Sequence, residues 1–145
     1  MPDLYLALGL SAIGLNLLAG AVGGWAWVGH RVSMPFWYLL RIGQLATVVF
    51  VTLEFVVYVG GDRADDSLHY LYVVLPVVAS LMGEAMRGAS ASQELGDTDF
   101  ASLDPDRQHE IGLAIYRRET GVMTVTALVI AFLLWRAIET TAGMF

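Results

Sequence analysis

Four apolar stretches, each long enough to cross a bilayer, make up most of this chain. They cover residues 4–28, 35–59, 68–86 and 120–138. A helix of about 20 residues spans a hydrocarbon core about 30 Å thick, so apolar runs of this length read as transmembrane segments. The hydrophobic fraction of 57% and the mean hydropathy of +0.62 point the same way. In hydrocarbon every backbone polar group must be satisfied within the protein, which favours helices. The chain is therefore expected to be all-α: a single transmembrane domain, residues 1–145, built as an antiparallel, up-down four-helix bundle. The plasma membrane is its expected location.

The ends of the segments carry helix signals. Pro35 suits the first turn of the second helix, where a missing N–H costs nothing. Gly60 and Gly61 stop that helix. Ser67 is placed to cap the third helix, with Asp65 and Asp66 adding negative charge at its N-terminus. Asp104 and Pro105 form a cap and first-turn pair that opens the fourth helix ahead of its apolar part. From 105 to 140 that helix would run roughly 50 Å at about 1.5 Å per residue. Residues 105–119 would then project beyond the membrane, unless Gly112 or Gly121 bends the helix. Residues 88–104, small and polar without a strong period, read as a connector. Met1, Pro2 and Asp3 lack the basic character of a secretory signal, so the first segment reads as a retained helix.

Arginine placement sets an expected orientation. Arg31, Arg41, Arg87, Arg107, Arg117 and Arg118 fall on one side, and only Arg63 and Arg136 on the other. The first side is expected to be cytoplasmic, leaving both termini external. The net charge of −6 argues against nucleic acid as a partner. The absence of cysteine excludes disulfides and thiolate chemistry.

The first segment carries Ala12, Asn16, Gly20 and Gly24 at four-residue spacing. Such a stripe lets helix backbones approach closely, inside the bundle or at a dimer seam. Trp25, Trp27, Trp37, Tyr38 and Trp135 lie near segment ends and read as interfacial anchors. The second segment is polar on two sides: Arg41 and Thr52 on one, Gly43, Thr47, Glu54 and Tyr58 on the other. It is therefore expected to be covered by protein on both sides.

Ionisable residues within membrane segments default to functional candidates. Two groups stand out. On the outer side, Glu54 and His69 flank a short loop, with Tyr58 four residues after Glu54 and Tyr72 three residues after His69. A carboxyl beside an imidazole can share a proton, hold a cation or orient a polar ligand. His69 is also the one histidine placed to ligate a metal or haem iron. Pro76, lower on the third segment, would open space for a planar cofactor if it kinked the helix. On the inner side, Arg41, Gln44, Glu84, Arg87, Arg117, Arg118 and Glu119 fall at similar depth. Arg41–Glu84 and Arg87–Glu119 are expected pairs. The group reads as a charge lattice or as a site for an anionic headgroup, phosphate or carboxylate.

No nucleotide loop, zinc-protease helix or nucleophile elbow occurs in the sequence. The leading expectation is therefore a non-catalytic membrane subunit or binding protein, in contact with lipid and assembled with itself or with a larger membrane complex. Two alternatives use the outer group: a redox-associated protein holding haem b or quinone near His69, and a proton- or cation-coupled carrier or oligomeric channel using Glu54 and His69.

Overall fold

The computed structural model describes residues 2–141. Among these the chain is helical throughout: α1 (Pro2–Val28), α2 (Met34–Gly60), α3 (Leu68–Gly88), the short α4 (Ser90–Leu95), a 3-10 turn (Phe100–Ser102) and α5 (Pro105–Glu139). Four of these helices, α1, α2, α3 and α5, are long and apolar enough to cross a membrane. Their outward faces are apolar as well; Leu45, Phe55, Leu81 and Phe132 are all more than 60% exposed. Exposed apolar surface of this kind marks contact with lipid or with other protein. It is compatible with a multi-pass membrane protein. The extreme termini, whose external placement the arginine pattern implies, lie outside the described residues.

The helix ends follow local chemistry. The Ser33 hydroxyl accepts from Phe36 N at 3.3 Å, with Pro35 in the first turn of α2. Gly61, at φ 103°, closes α2 in the left-handed conformation and donates to Tyr58 O at 3.2 Å. The Asp104 carboxylate accepts from Arg107 N at 2.9 Å and Pro105 begins α5. At α3 the expected Ser67 cap is corrected. The Ser67 side chain makes no capping bond, and Asp66 Oδ1 accepts from Leu68 N at 2.9 Å instead.

The connector is also more ordered than its composition suggests. Residues 90–95 form α4, which lies against α5 and is tied to it by Arg118 and Glu94 at 3.0 Å. Gln108 Nε2 gathers the carbonyls of Phe100 and Leu103 at 3.1 and 3.0 Å. Neither Gly112 nor Gly121 interrupts α5, whose 35 residues extend about 52 Å.

Packing departs from the sequence expectation in one respect. α1 and α5, not α2, are the helices packed closely on two sides. α5 lies along α1 on one flank and α3 on the other, while α1 also packs along α2. α2 and α3 meet closely over only a few residues. The Arg41 and Thr52 side of α2 is exposed, and Thr52 returns its hydroxyl to Val48 O at 2.8 Å. Glycine makes the α5 contacts possible. A Cβ at Gly20 would sit 2.4 Å from Leu128 of α5, and one at Gly83 would sit 2.5 Å from Thr126 Oγ1. The stripe on α1 is thus used inside the chain: Ala12, Asn16 and Gly20 are buried.

The core has two parts. Tyr5, Ala12, Ile13, Phe50, Val73, Ile130, Leu134 and Ala137 form one, and Ala19, Phe36, Leu40, Met123 and Ala127 the other. Between them Asn16 Nδ2 donates to Ala12 O and to Thr47 Oγ1, at 2.9 and 3.1 Å, and lies 3.3 Å from Gly43 O. The buried amide nitrogen therefore finds partners on two helices, while Asn16 Oδ1 has none among the described residues.

Candidate functional site at the Glu54 end

Glu54 lies six residues before the end of α2, about 9 Å along the helix axis. His69 is the second residue of α3. The two side chains meet: His69 Nε2 lies 3.3 Å from Glu54 Oε2, with the side chains 0% and 3% exposed. Two further helices complete the arrangement. The Tyr5 hydroxyl on α1 donates to Glu54 Oε1. His69 Nδ1 lies 3.1 Å from both the Ala137 carbonyl and Thr140 Oγ1, at the end of α5.

The hydrogen-bond roles follow from chemistry. A backbone carbonyl only accepts, so His69 Nδ1 carries a proton. The Thr140 hydroxyl donates back to the Arg136 and Ala137 carbonyls at 2.9 and 3.1 Å, so it too accepts from His69. Nε2 is then the atom turned toward Glu54. One proton lies between Nε2 and Oε2, and the pair is either imidazolium with carboxylate or imidazole with carboxylic acid. Burial disfavours an unpaired charge on either partner.

Below the pair the interior is packed. Phe50 is fully buried with its ring 5.1 Å from that of Tyr5, and Val73 and Leu134 are buried in the same cluster. Beside the pair, where α2 and α3 part, lies a groove of about 590 Å³. Glu54 lines it; His69 does not. Its walls are Val51 and Phe55 from α2 and Val73 and Val74 from α3, with Tyr58 and Tyr70 in edge-to-face contact at 5.2 Å. The loop between the helices forms its rim. Arg63 lies over the Tyr58 ring at 5.2 Å, and Ala64 N donates to Tyr70 Oη at 3.1 Å. The groove thus joins an apolar, aromatic wall to the buried Glu54 carboxyl, with Arg63, Asp65 and Ser67 as further polar lining.

Of the outer residues expected from sequence, Glu54, His69 and Tyr58 belong to this end. Tyr72 does not reach the pair. It packs beside the first core cluster, with Arg136 over its ring at 5.4 Å. Tyr70, two residues earlier, takes the place at the groove. Pro76 is buried within a continuous α3 and does not line the groove. Tyr5 and Thr140 are not legible as partners from sequence, since by simple counting Tyr5 lies about 4.5 Å from the start of α1 and Glu54 about 9 Å from the end of α2.

Arg41, Gln44, Glu84, Arg87 and Glu119 of the inner group come together, and the pairs Arg41–Glu84 and Arg87–Glu119 form. Arg41 Nη1 donates to Glu84 Oε1 at 2.5 Å and to Gln44 Oε1 at 2.6 Å. Gln44 Nε2 donates to Glu84 Oε1 at 3.0 Å and to Ser80 Oγ at 3.2 Å. Arg87 Nε donates to Glu84 Oε2 at 2.9 Å, and its Nη1 lies 3.9 Å from Glu119 Oε2. Two arginines face two carboxylates, so this lattice balances its own charge. Arg118 pairs with Glu94 instead, and Arg117 has no carboxylate within 4.0 Å among the described residues. No group of three or more histidine, cysteine, aspartate or glutamate side chains that could hold a metal ion occurs among the described residues.

Comparison with protein-family models, with curated proteins and with solved structures gives no match.

Proposed function

We propose that this protein is a membrane-spanning, antiparallel four-helix bundle that serves as a non-catalytic binding subunit. Its α2–α3 groove holds a lipid-soluble molecule with a hydrogen-bonding head, of which a quinone is the best-fitting class. The Arg41 end faces the cytoplasm and the Glu54 end faces outward.

One observation carries this reading. The groove opens beside α2 and α3, is walled by aliphatic and aromatic side chains, and presents the Glu54 carboxyl with a proton held between it and His69. Ligand sites are mostly apolar with a few placed polar groups, and 590 Å³ is within their usual range. A quinone carbonyl accepts a hydrogen bond from the Tyr70 hydroxyl, whose oxygen already accepts from Ala64 N, or from the Glu54 acid proton taken over from His69 Nε2, and its apolar ring and tail suit the walls. Haem fits less well. His69 is fully buried with both ring nitrogens engaged, so an iron would have to displace Glu54 or the Ala137 carbonyl.

The protein functions as a homo-oligomer or within a larger membrane complex. Because the α1 stripe is used internally, such contacts draw on the outward faces of α2, α3 and α5. A second reading, coupled movement of a proton or cation through Glu54 and His69, is favoured by the shared proton. It requires the packed layer of Phe50 and the Asn16–Thr47 contact to open.

The test is organic extraction of full-length protein purified in mild detergent, followed by mass spectrometry. A quinone enriched over the detergent blank and lost in Glu54→Gln supports the reading. A blank-level extract, together with no saturable binding of added decylubiquinone, overturns it.

A further inference from the structure

A second cavity, of about 240 Å³, lies at the opposite end of the molecule, between the end of α1, the loop after it and the first half of α5. Arg31 and Arg117 both line it, with His30, Trp27, Tyr116 and Thr120. Five of the eight arginines have a carboxylate within 4.0 Å among the described residues; Arg31, Arg63 and Arg117 do not. Two of those three meet in this one cavity.

The two cations are held there by a fixed scaffold. The Tyr116 hydroxyl of α5 accepts from Ser33 N at 2.9 Å and from Trp37 Nε1 at 3.0 Å, and it lies 3.4 Å from Ser33 O. That atom bolts the loop carrying Arg31 to the helix carrying Arg117, one residue away. Arg31 stacks over Trp25 at 4.7 Å, which leaves the in-plane N–H donors of its guanidinium free to turn to a ligand. His30 adopts a left-handed φ of 52°, rare for a non-glycine residue, and its Nδ1 donates to Val28 O at 3.0 Å. Nε2 is its remaining polar atom. The other walls, including Trp27, are apolar.

We infer that this cavity binds a phosphate-bearing anion, with Arg31 and Arg117 as its two guanidinium contacts. Arginine recognises phosphate through paired N–H donors, and two uncompensated arginines at an apolar boundary seek an anion. The same chemistry is offered by the headgroup of an anionic phospholipid, whose chains would lie along the apolar wall, and by free phosphate. The inference rests on the membrane-spanning reading above but not on the ligand of the Glu54 groove.

The test uses thermal melts of full-length protein in an uncharged detergent. Phosphatidylglycerol, phosphatidylcholine with the same chains, and inorganic phosphate are titrated separately. Wild type is compared with Arg117→Gln, with the double variant R31Q/R117Q, and with Arg107→Gln, whose arginine pairs with Glu110 at 2.7 Å outside the cavity. Phosphatidylglycerol is expected to raise Tm saturably in wild type and Arg107→Gln. Its half-saturating concentration should rise about tenfold in Arg117→Gln, and the saturable shift should vanish in the double variant. Phosphatidylcholine should give no saturable shift. A shift with inorganic phosphate alone, lost in the double variant, assigns the site to the phosphate group without the lipid. An equal phosphatidylglycerol shift in wild type and double variant, or no shift with either anion in folded wild type, overturns the inference. The Glu54 groove lies at the far end of the molecule, so loss of quinone binding leaves this result standing.

Discussion

His69 Nε2 lies 3.3 Å from Glu54 Oε2 while His69 Nδ1 is tied to the Ala137 carbonyl at 3.1 Å, so one imidazole links α2, α3 and α5. Removing it strands a buried carboxyl. His69→Ala should lower the unfolding free energy by about 3–5 kcal/mol, the usual penalty for breaking a buried pair on one side. Replacing both partners, with Glu54→Leu and His69→Leu together, should cost less than His69→Ala alone. Equilibrium unfolding in mixed detergent micelles measures both, and a double variant less stable than the single one would contradict the pairing.

Tyr5 donates to the same carboxyl from α1 while its ring packs on Phe50. Tyr5→Phe keeps the ring and removes the donor. A loss of about 1–3 kcal/mol is expected, the cost of leaving a buried acceptor short of a partner. Tyr72→Phe removes a hydroxyl remote from the pair and should leave the Glu54 groove unaffected. Melting temperatures of the two variants, compared side by side, check this.

The approach of α3 to α5 depends on Gly83, where a Cβ would lie 2.5 Å from Thr126 Oγ1. Gly83→Val should destabilise by about 1–3 kcal/mol through overpacking. Gly112, the eighth residue of α5, has nothing within 4 Å of a built Cβ. Gly112→Ala should therefore stabilise by about 0.5–1 kcal/mol through helix propensity. The opposite signs make the pair informative in one thermal-melt experiment.

Glu84 is the hub of the inner lattice, accepting from Arg41, Gln44 and Arg87. Glu84→Ala should destabilise more than Arg41→Ala, because it leaves Arg41 without a carboxylate and Arg87 with only Glu119 at 3.9 Å, while Arg41→Ala leaves Glu84 with Arg87 and Gln44. Arg41 and Arg87 are 49% and 33% exposed, so each individual pair should contribute no more than about 1 kcal/mol. Chemical unfolding at two ionic strengths separates the order of effects from simple screening.

Much of this architecture is legible in the chain. The four long segments, the Pro35 start, the Gly61 stop and the Asp104–Pro105 start all follow from local rules, and the structure places their boundaries within about two residues. The Glu54–His69 meeting follows from a short loop joining two antiparallel helices, with Glu54 six residues before the end of α2 and His69 the second residue of α3. What is not legible comes from α5. Its insertion between α1 and α3 brings Ala137 and Thr140 to His69, and the α1 neighbour of α2 brings Tyr5 to Glu54. Loop length points to sequence neighbours and says nothing of partners 49 or 71 residues away. Tyr72 was misplaced for a smaller reason. Three helical residues turn about 300°, so it stands about 60° off the His69 face. That offset turns it toward Arg136.

Binding of decylubiquinone to purified full-length protein, followed by quenching of intrinsic fluorescence, tests the Glu54 groove most directly. Wild type should give a saturable curve. Tyr58→Ala should weaken binding about tenfold by removing an aromatic wall, and Glu54→Gln should weaken it similarly by removing the shared proton. Curves that are unsaturable, or identical in wild type and both variants, would contradict a ligand site at Glu54.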